Sequence, residues 1–199
     1  YQVYESPLEE SRAIIRAILD GCERGYSYND FAVLFRTNTQ PRNLMEQMMT
    51  YNIPFRTKDN IPNLYEHWIT RDILTYIRLA MGGRERRDVL QIMNRPKRYI
   101  TRESVDEEVI AFDAWAEYFY EKKQPWVAER IEQLEVDLRV ISRISPYAAI
   151  NYIRHSIGYE EYLKEYADYR RISEDNLIEV LDELQEASKE FKTYGAWFD

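Results

Sequence analysis

Apolar and polar positions along this chain change rhythm near residue 60. Before that point, short continuous apolar runs alternate with runs spaced by three and four. Residues 3–5 read as a short strand. Ser6-Pro7-Leu8-Glu9 then carries a helix start: a hydroxyl to accept first-turn amides, a proline with no amide to lose, and a glutamate to reach back. Leu8, Ile14, Ile15, Ile18, Leu19 and Cys22 follow at helical spacing, and Gly21 and Gly25 read as its close. The run FAVLF at 31–35 has the length of a strand covered on both faces. Pro41 then opens a helix with Leu44, Met45, Met48 and Met49 on one side, and 53–56 reads as another strand. Strand, helix, strand, helix, strand predicts a parallel α/β unit over residues 1–58.

Beyond it the period-two signals stop. Helical patterns occupy 65–81, 86–93, 101–121, 125–144, 146–157, 159–169 and 176–191, with Ser145-Pro146 marking one start and Gly158 one end. Val127, Ile131, Leu134, Leu138 and Ile141 form an apolar seam along one of them. Residues 59–199 are therefore expected to be an all-α bundle, which makes the fold class α/β plus all-α.

Composition narrows the chemistry. With 45% hydrophobic and 14% aromatic residues, the 199-residue chain has the surface to bury a core despite 31% charged residues. Its apolar runs are too short to span a membrane, and no charged-then-apolar leader opens it. A single cysteine, Cys22, fits a reducing, cytoplasmic setting. None of the six glycines lies in a phosphate-cradling loop. His67 and His155 fall on separate helices without metal-ligand spacing, so no metal site is expected. Adjacent carboxylates such as Glu107-Glu108 and Glu160-Glu161 point in different directions on a helix and read as solvated acidic faces. No serine sits in a nucleophile elbow, so no catalytic set is expected here.

The net charge of −8 conceals an asymmetry. Residues 1–83 carry nine basic and ten acidic groups, 84–102 carry seven and two, and 103–199 carry eleven and twenty-three. Positive charge is therefore concentrated around NRPKRYITRES at 94–104. The aromatics Phe112, Trp115, Tyr118, Phe119 and Tyr120 read as packing between helices, and Tyr152, Tyr159, Tyr162, Tyr166 and Tyr169 as half-buried helix surface.

Several segments, in order, resemble one family. DFAVLFRTNTQPR at 30–42 resembles the DFAVLYRTNAQSR segment of the UvrD/PcrA/Rep-type superfamily 1 DNA helicases. Asn52-Ile53-Pro54-Phe55 is similar to the family's NIPY strand. Leu64-Tyr65-Glu66 and the stretch RDILTYIRL at 71–79 are similar to its FYER and KDILAYLRL helix. Asn94-Arg95-Pro96-Lys97-Arg98 is similar to NxPKRGIG, Gly158-Tyr159-Glu160-Glu161-Tyr162-Leu163 to GYxxxL, and Asn176-Leu177 with Glu179 to RxENLxEL. The matches cover nearly the whole chain.

The resemblance implies that residues 1–58 are the first part of a second RecA-like motor domain, a partial βαβ unit. It implies that 59–199 are the helical domain inserted there. It places the Walker lysine, the magnesium-binding acidic motif and the first arginine finger before Tyr1, and the remaining motor motifs after Asp199. The parent protein would be an ATP-dependent 3′–5′ DNA helicase that uses ATP and Mg²⁺, neither bound by this segment. Its partners would be DNA, as single strand and duplex junction, and repair or replication proteins. Two other readings stay open: a stand-alone acidic helical module that binds protein, and a motor part of an AddA/RecB-like helicase-nuclease.

In the family the glycine turn after PKR holds the duplex backbone. Here it reads Tyr99-Ile100-Thr101. A tyrosine is poorly suited to φ > 0, and its Cβ obstructs close backbone approach. Thr101 is expected instead to cap the next helix, with Ser104 and first-turn amides open to a phosphate. Lys97, Arg98, Thr101 and Arg102 are the expected duplex contacts; the other reading is a basic linker paired with the acidic helices downstream. Arg36, Thr37 and Asn38, just past an apolar strand, are candidate motor-core or single-strand contacts; the other reading is a strand-end cap that orders the following loop.

Overall fold

The computed structural model describes residues 2–4, 6–36, 41–57 and 64–198. Two compact units divide the chain, Tyr1–Asn63 and Leu64–Asp199.

In the first unit, α1 (Pro7–Glu23) starts where Ser6 Oγ accepts the Glu9 amide at 3.2 Å, and it packs against α2 (Pro41–Thr50). Ile15, Ile18, Leu44, Met48 and Ile53 form the buried centre. Gly25 closes α1 with a φ of +99°, a left-handed conformation that suits a residue without Cβ. Gly21 does something else. It lies inside α1 beneath the Phe31 ring, where a Cβ would come within 2.5 Å of a ring carbon.

The expected βαβ unit does not form a sheet among the described residues. Residues 31–35 carry no ladder hydrogen bonds, and neither do 53–56. Instead of being covered on both faces, Leu34 is 93% exposed, while Phe31 and Phe35 lean on the small core. Apolar runs report a need for cover, but a strand also needs a neighbour to exchange amide and carbonyl bonds with. No described segment supplies one.

The second unit is a helical bundle around α3 (Trp68–Ala80), whose Ile69, Ile73, Tyr76, Ile77 and Leu79 are fully buried. His67 Nδ1 accepts the Ile69 amide at 3.3 Å and caps it. The following elements are α4 (Arg86–Ile92), α5 (Phe112–Glu121), α6 (Pro125–Ile141), α7 (Pro146–His155), α8 (Tyr159–Arg170), α9 (Glu174–Ala187) and α10 (Tyr194–Phe198). α3 packs against α4, α6, α7 and α9; α5 lies on α6, and α8 on α7 and α9. The α6 seam of Val127, Ile131, Leu134, Leu138 and Ile141 is buried throughout. Each such side chain contributes about 1.5–3 kcal/mol of transfer free energy.

The helix expected over 101–121 is broken. A single 3₁₀ turn, Arg102–Ser104, is followed by an extended crossing that pairs with residues 84–86. The Arg86 amide donates to Glu108 O at 2.9 Å and the Ile110 amide to Arg84 O at 2.8 Å, which carries Val105 and Ile110 into the core. This pairing satisfies the backbone from outside the segment and displaces the local helix. Tyr159, expected at the half-buried surface, is fully buried and donates to Asp72 at 2.7 Å. Among the described residues no helix is long and apolar enough to cross a membrane.

Candidate nucleic-acid interface

The basic stretch begins where α4 ends. Asn94 reaches forward over the turn: its Oδ1 accepts the amides of Arg98 (3.2 Å) and Ile100 (3.0 Å), and its Nδ2 donates to Ile100 O at 2.7 Å. Ile100, 3% exposed, pins the far side of the turn in the core. Between these anchors Tyr99 takes a φ of +58°. The tyrosine thus occupies the left-handed conformation that a glycine would take with less strain, because the Asn94 clasp imposes it.

The four cations of the stretch divide two and two. Arg95 turns inward: its Nη1 donates at 2.8 Å to both oxygens of Asp72, and its guanidinium lies 5.7 Å from the Trp68 ring centre. Asp72 is fully buried on α3 and also accepts from Gln91 Nε2 at 2.9 Å. Arg98 turns inward too. Its Nη1 donates to Ile92 O (3.1 Å), Met93 O (3.3 Å) and Pro96 O (3.5 Å), and its Nη2 to the Tyr76 hydroxyl (2.9 Å). Tyr76 in turn donates to Arg95 O at 2.7 Å.

Arg98 is only 7% exposed and caps the carbonyls at the end of α4, so in this structure it is not a surface phosphate ligand. The expectation fails because the open carbonyls of α4 and the buried phenol beside them offer a charged donor fixed partners. Ser104 also leaves the expected set. Its hydroxyl donates to Thr101 O and accepts from Trp115 Nε1 at 2.9 Å, and the 3₁₀ turn after Thr101 is too short to aim a row of amides.

Lys97, Thr101 and Arg102 face solvent. Lys97 Nζ stands 3.6 Å from Glu165 of α8, an exposed pair whose worth is at most about 1 kcal/mol. Part of the acidic surface downstream therefore does reach the basic stretch. Beside the turn, Arg130 Nη1 donates to Arg98 O at 3.4 Å. Arg36 is exposed in the other unit; Thr37 and Asn38 lie outside the described residues. Among the described residues no three histidine, cysteine or acidic side chains gather as a metal set.

Asn94, Asp72 and Tyr76 shape this site and were not singled out from sequence. The signal for Asp72 was a lone carboxylate on the face that Ile69, Ile73 and Tyr76 turn inward; buried charge at such a position requires a partner.

Tyr76 and Tyr159 also set a pH limit. Burial raises the pKa of both hydroxyls, with the Asp72 charge adding to the rise at Tyr159 and Arg98 offsetting part of it at Tyr76. Burial pushes Tyr194 up to about 12. In the unfolded chain such groups ionise near pH 10. Their contribution is therefore complete below about pH 10 and is lost as pH rises through the folded values. The urea midpoint should hold steady from neutral pH to about pH 9.5 and fall between about pH 10 and 12. The tyrosinate absorbance contributed by Tyr76, Tyr159 and Tyr194, read as the difference from a variant with phenylalanine at these three positions, should appear together with unfolding rather than before it.

A family model described as UvrD-like helicase C-terminal domain matches residues 2–195. The chain is 24% identical over 197 residues to the putative ATP-dependent DNA helicase YjcD of Bacillus subtilis, covering 93% of this chain and 25% of that protein. It is 28% identical to the ATP-dependent DNA helicase PcrA of Staphylococcus epidermidis, covering 96% of this chain and 28% of that protein. With PcrA of Staphylococcus aureus it shares 26% identity, over 95% of this chain and 27% of that protein. The chain spans about a quarter of the length of these curated relatives.

Proposed function

The chain belongs to the UvrD-like helicase C-terminal domain family, and on that premise we propose that it is part of an ATP-dependent DNA helicase that moves 3′ to 5′ along single strands. In this reading residues 1–58 contribute to the second motor domain, and 59–199 form an inserted helical domain that touches the duplex ahead of the motor. ATP and Mg²⁺ serve the whole protein. The described residues do not fit them, since no glycine-rich loop precedes a helix and no acidic metal set forms among them. Arg36, Thr37 and Asn38 remain proposed contacts to the motor core or single strand. Partners are a duplex junction with its single strand, and repair or replication proteins.

The observation that carries the DNA contact is the division of the basic stretch. Arg95 and Arg98 lock the turn from within, and Lys97, Thr101 and Arg102 project from it. Outward cations on a braced turn position phosphates without carrying sequence information. The duplex contact is thus Lys97, Thr101 and Arg102, with Arg98 as their support.

Reversing Lys97 and Arg102 to glutamate should weaken binding to a duplex with a single-stranded tail at low salt. It should also lower the slope of log affinity against log salt by about two, one for each phosphate that is no longer neutralised. Anisotropy titrations across a salt series measure both. Unchanged affinity and slope would remove these two cations from the DNA interface.

A further inference from the structure

The same turn carries an aromatic feature that phosphate binding does not use. Tyr99 is 63% exposed, and its left-handed backbone holds the ring out from the domain. It meets Trp126, at the start of α6, edge to face, with ring centres 6.3 Å apart and planes at 68°. Of the four tryptophans Trp126 is the most exposed, at 47%; Trp115 and Trp197 are buried and Trp68 is half-buried. Arg130 braces both rings. Its guanidinium carbon lies 5.3 Å from the Tyr99 centre and 5.0 Å from that of Trp126, while its Nη1 donates to Arg98 O.

Two large aromatic rings left in water beside a planar cation form an arrangement suited to a flat, electron-rich partner. Burial elsewhere in the molecule does not require it: the aromatic positions that build the core, Phe112, Trp115 and Phe119, are at most 4% exposed. Lys97 lies two residues before Tyr99 and Arg102 three after it. A strand whose phosphates meet those cations therefore brings its bases near the rings.

We propose that Tyr99 and Trp126, braced by Arg130, form a stacking platform for an unpaired nucleobase of DNA, next to the cations that take its phosphates. Within a duplex, both faces of a base are covered by its neighbours in the stack. The platform accordingly takes a base that has left the duplex, at a junction or in a tail, and takes it without regard to sequence because every base has a π face. The proposal rests on the DNA-contact reading of the turn.

The test separates bases from phosphates. The 199-residue chain is titrated, by anisotropy at low salt, with a tailed duplex and with the same duplex whose tail nucleotides are all abasic. The two DNAs carry the same charge and differ only in the tail bases. Wild type is expected to bind the tail with bases about tenfold more tightly. Trp126→Ala should abolish that preference and leave the affinity for the abasic tail unchanged. Tyr99→Gly should do the same while keeping the fold, because glycine accepts the left-handed conformation; Trp126→Phe should retain most of the preference.

Equal wild-type affinity for the two DNAs would overturn the platform, and so would a preference that survives Trp126→Ala. The phosphate reading fails separately. If Lys97→Glu with Arg102→Glu leaves the salt slope intact while Trp126→Ala removes the base preference, the platform stands and the phosphate contact does not. Failure of wild type to bind either DNA overturns both.

Discussion

Replacing Asp72 with alanine is expected to lower the unfolding free energy by about 3 kcal/mol, at the lower end of what breaking a buried ion pair costs. The carboxylate is fully buried and accepts from Arg95 with both oxygens, from Gln91 and from the Tyr159 hydroxyl. Without it, the Tyr159 hydroxyl is left in the core without its acceptor, and Arg95 retains its charge beside apolar surface. The figure stays at the lower end because the Arg95 side chain is 38% exposed and water relieves part of the loss. Asp72→Asn keeps one acceptor oxygen and should fall between wild type and alanine. Urea unfolding followed by circular dichroism measures both. A companion variant tests the reason: if the orphaned cation is a large part of the cost, Asp72→Ala combined with Arg95→Ala will be less destabilised than the sum of the two single changes. A loss under about 1 kcal/mol for Asp72→Ala would mean that this network is not what holds α3 to the turn.

Arg98→Ala is expected to cost about 2–3 kcal/mol, and to act on folding rather than on DNA charge. Its guanidinium donates to three backbone carbonyls and to Tyr76, and lies 5.9 Å from the centre of that ring. Hydrogen bonds made by a charged donor are each worth about 1.5–3 kcal/mol, and removing the donor leaves buried acceptors unpaired. Lysine offers one compact ammonium in place of a planar fork, so Arg98→Lys should recover only part of the stability. The DNA measurement separates this residue from its neighbours. Arg98→Lys should leave the salt slope at its wild-type value, whereas glutamate at positions 97 and 102 lowers it by about two. An equal fall in slope for Arg98→Lys would return Arg98 to the surface contact set.

These outcomes depend on features that differ in how far they could be read along the chain. Helix starts at Ser6-Pro7 and Ser145-Pro146 were legible because capping is local chemistry: Ser6 Oγ meets the Glu9 amide three residues on, and Ser145 Oγ the Ala148 amide. The α6 seam was legible because its spacing of four and three is the helix period itself. The break within 101–121 is not legible along the chain because its middle pairs with residues 84–86, and no periodicity within it records that partner. The strand pattern at 31–35 likewise indicated a preference but could not create a ladder.

Most of the helices in their order, though not the break within 101–121 or α10, were legible in the sequence alone, as were the local excess of positive charge at 84–102 and the family resemblance. Only the tertiary structure decided which of the four cations at 95–102 face water, why a tyrosine sits in a glycine conformation, and that Trp126 and Arg130 stand beside it. The physical reason is distance along the chain. Arg98 is turned inward by Tyr76, 22 residues away, and Asp72, which holds Arg95, is itself held by Tyr159, 87 residues away. A side chain's propensity is a property of its own residue, whereas its burial and its partners belong to whatever folds against it.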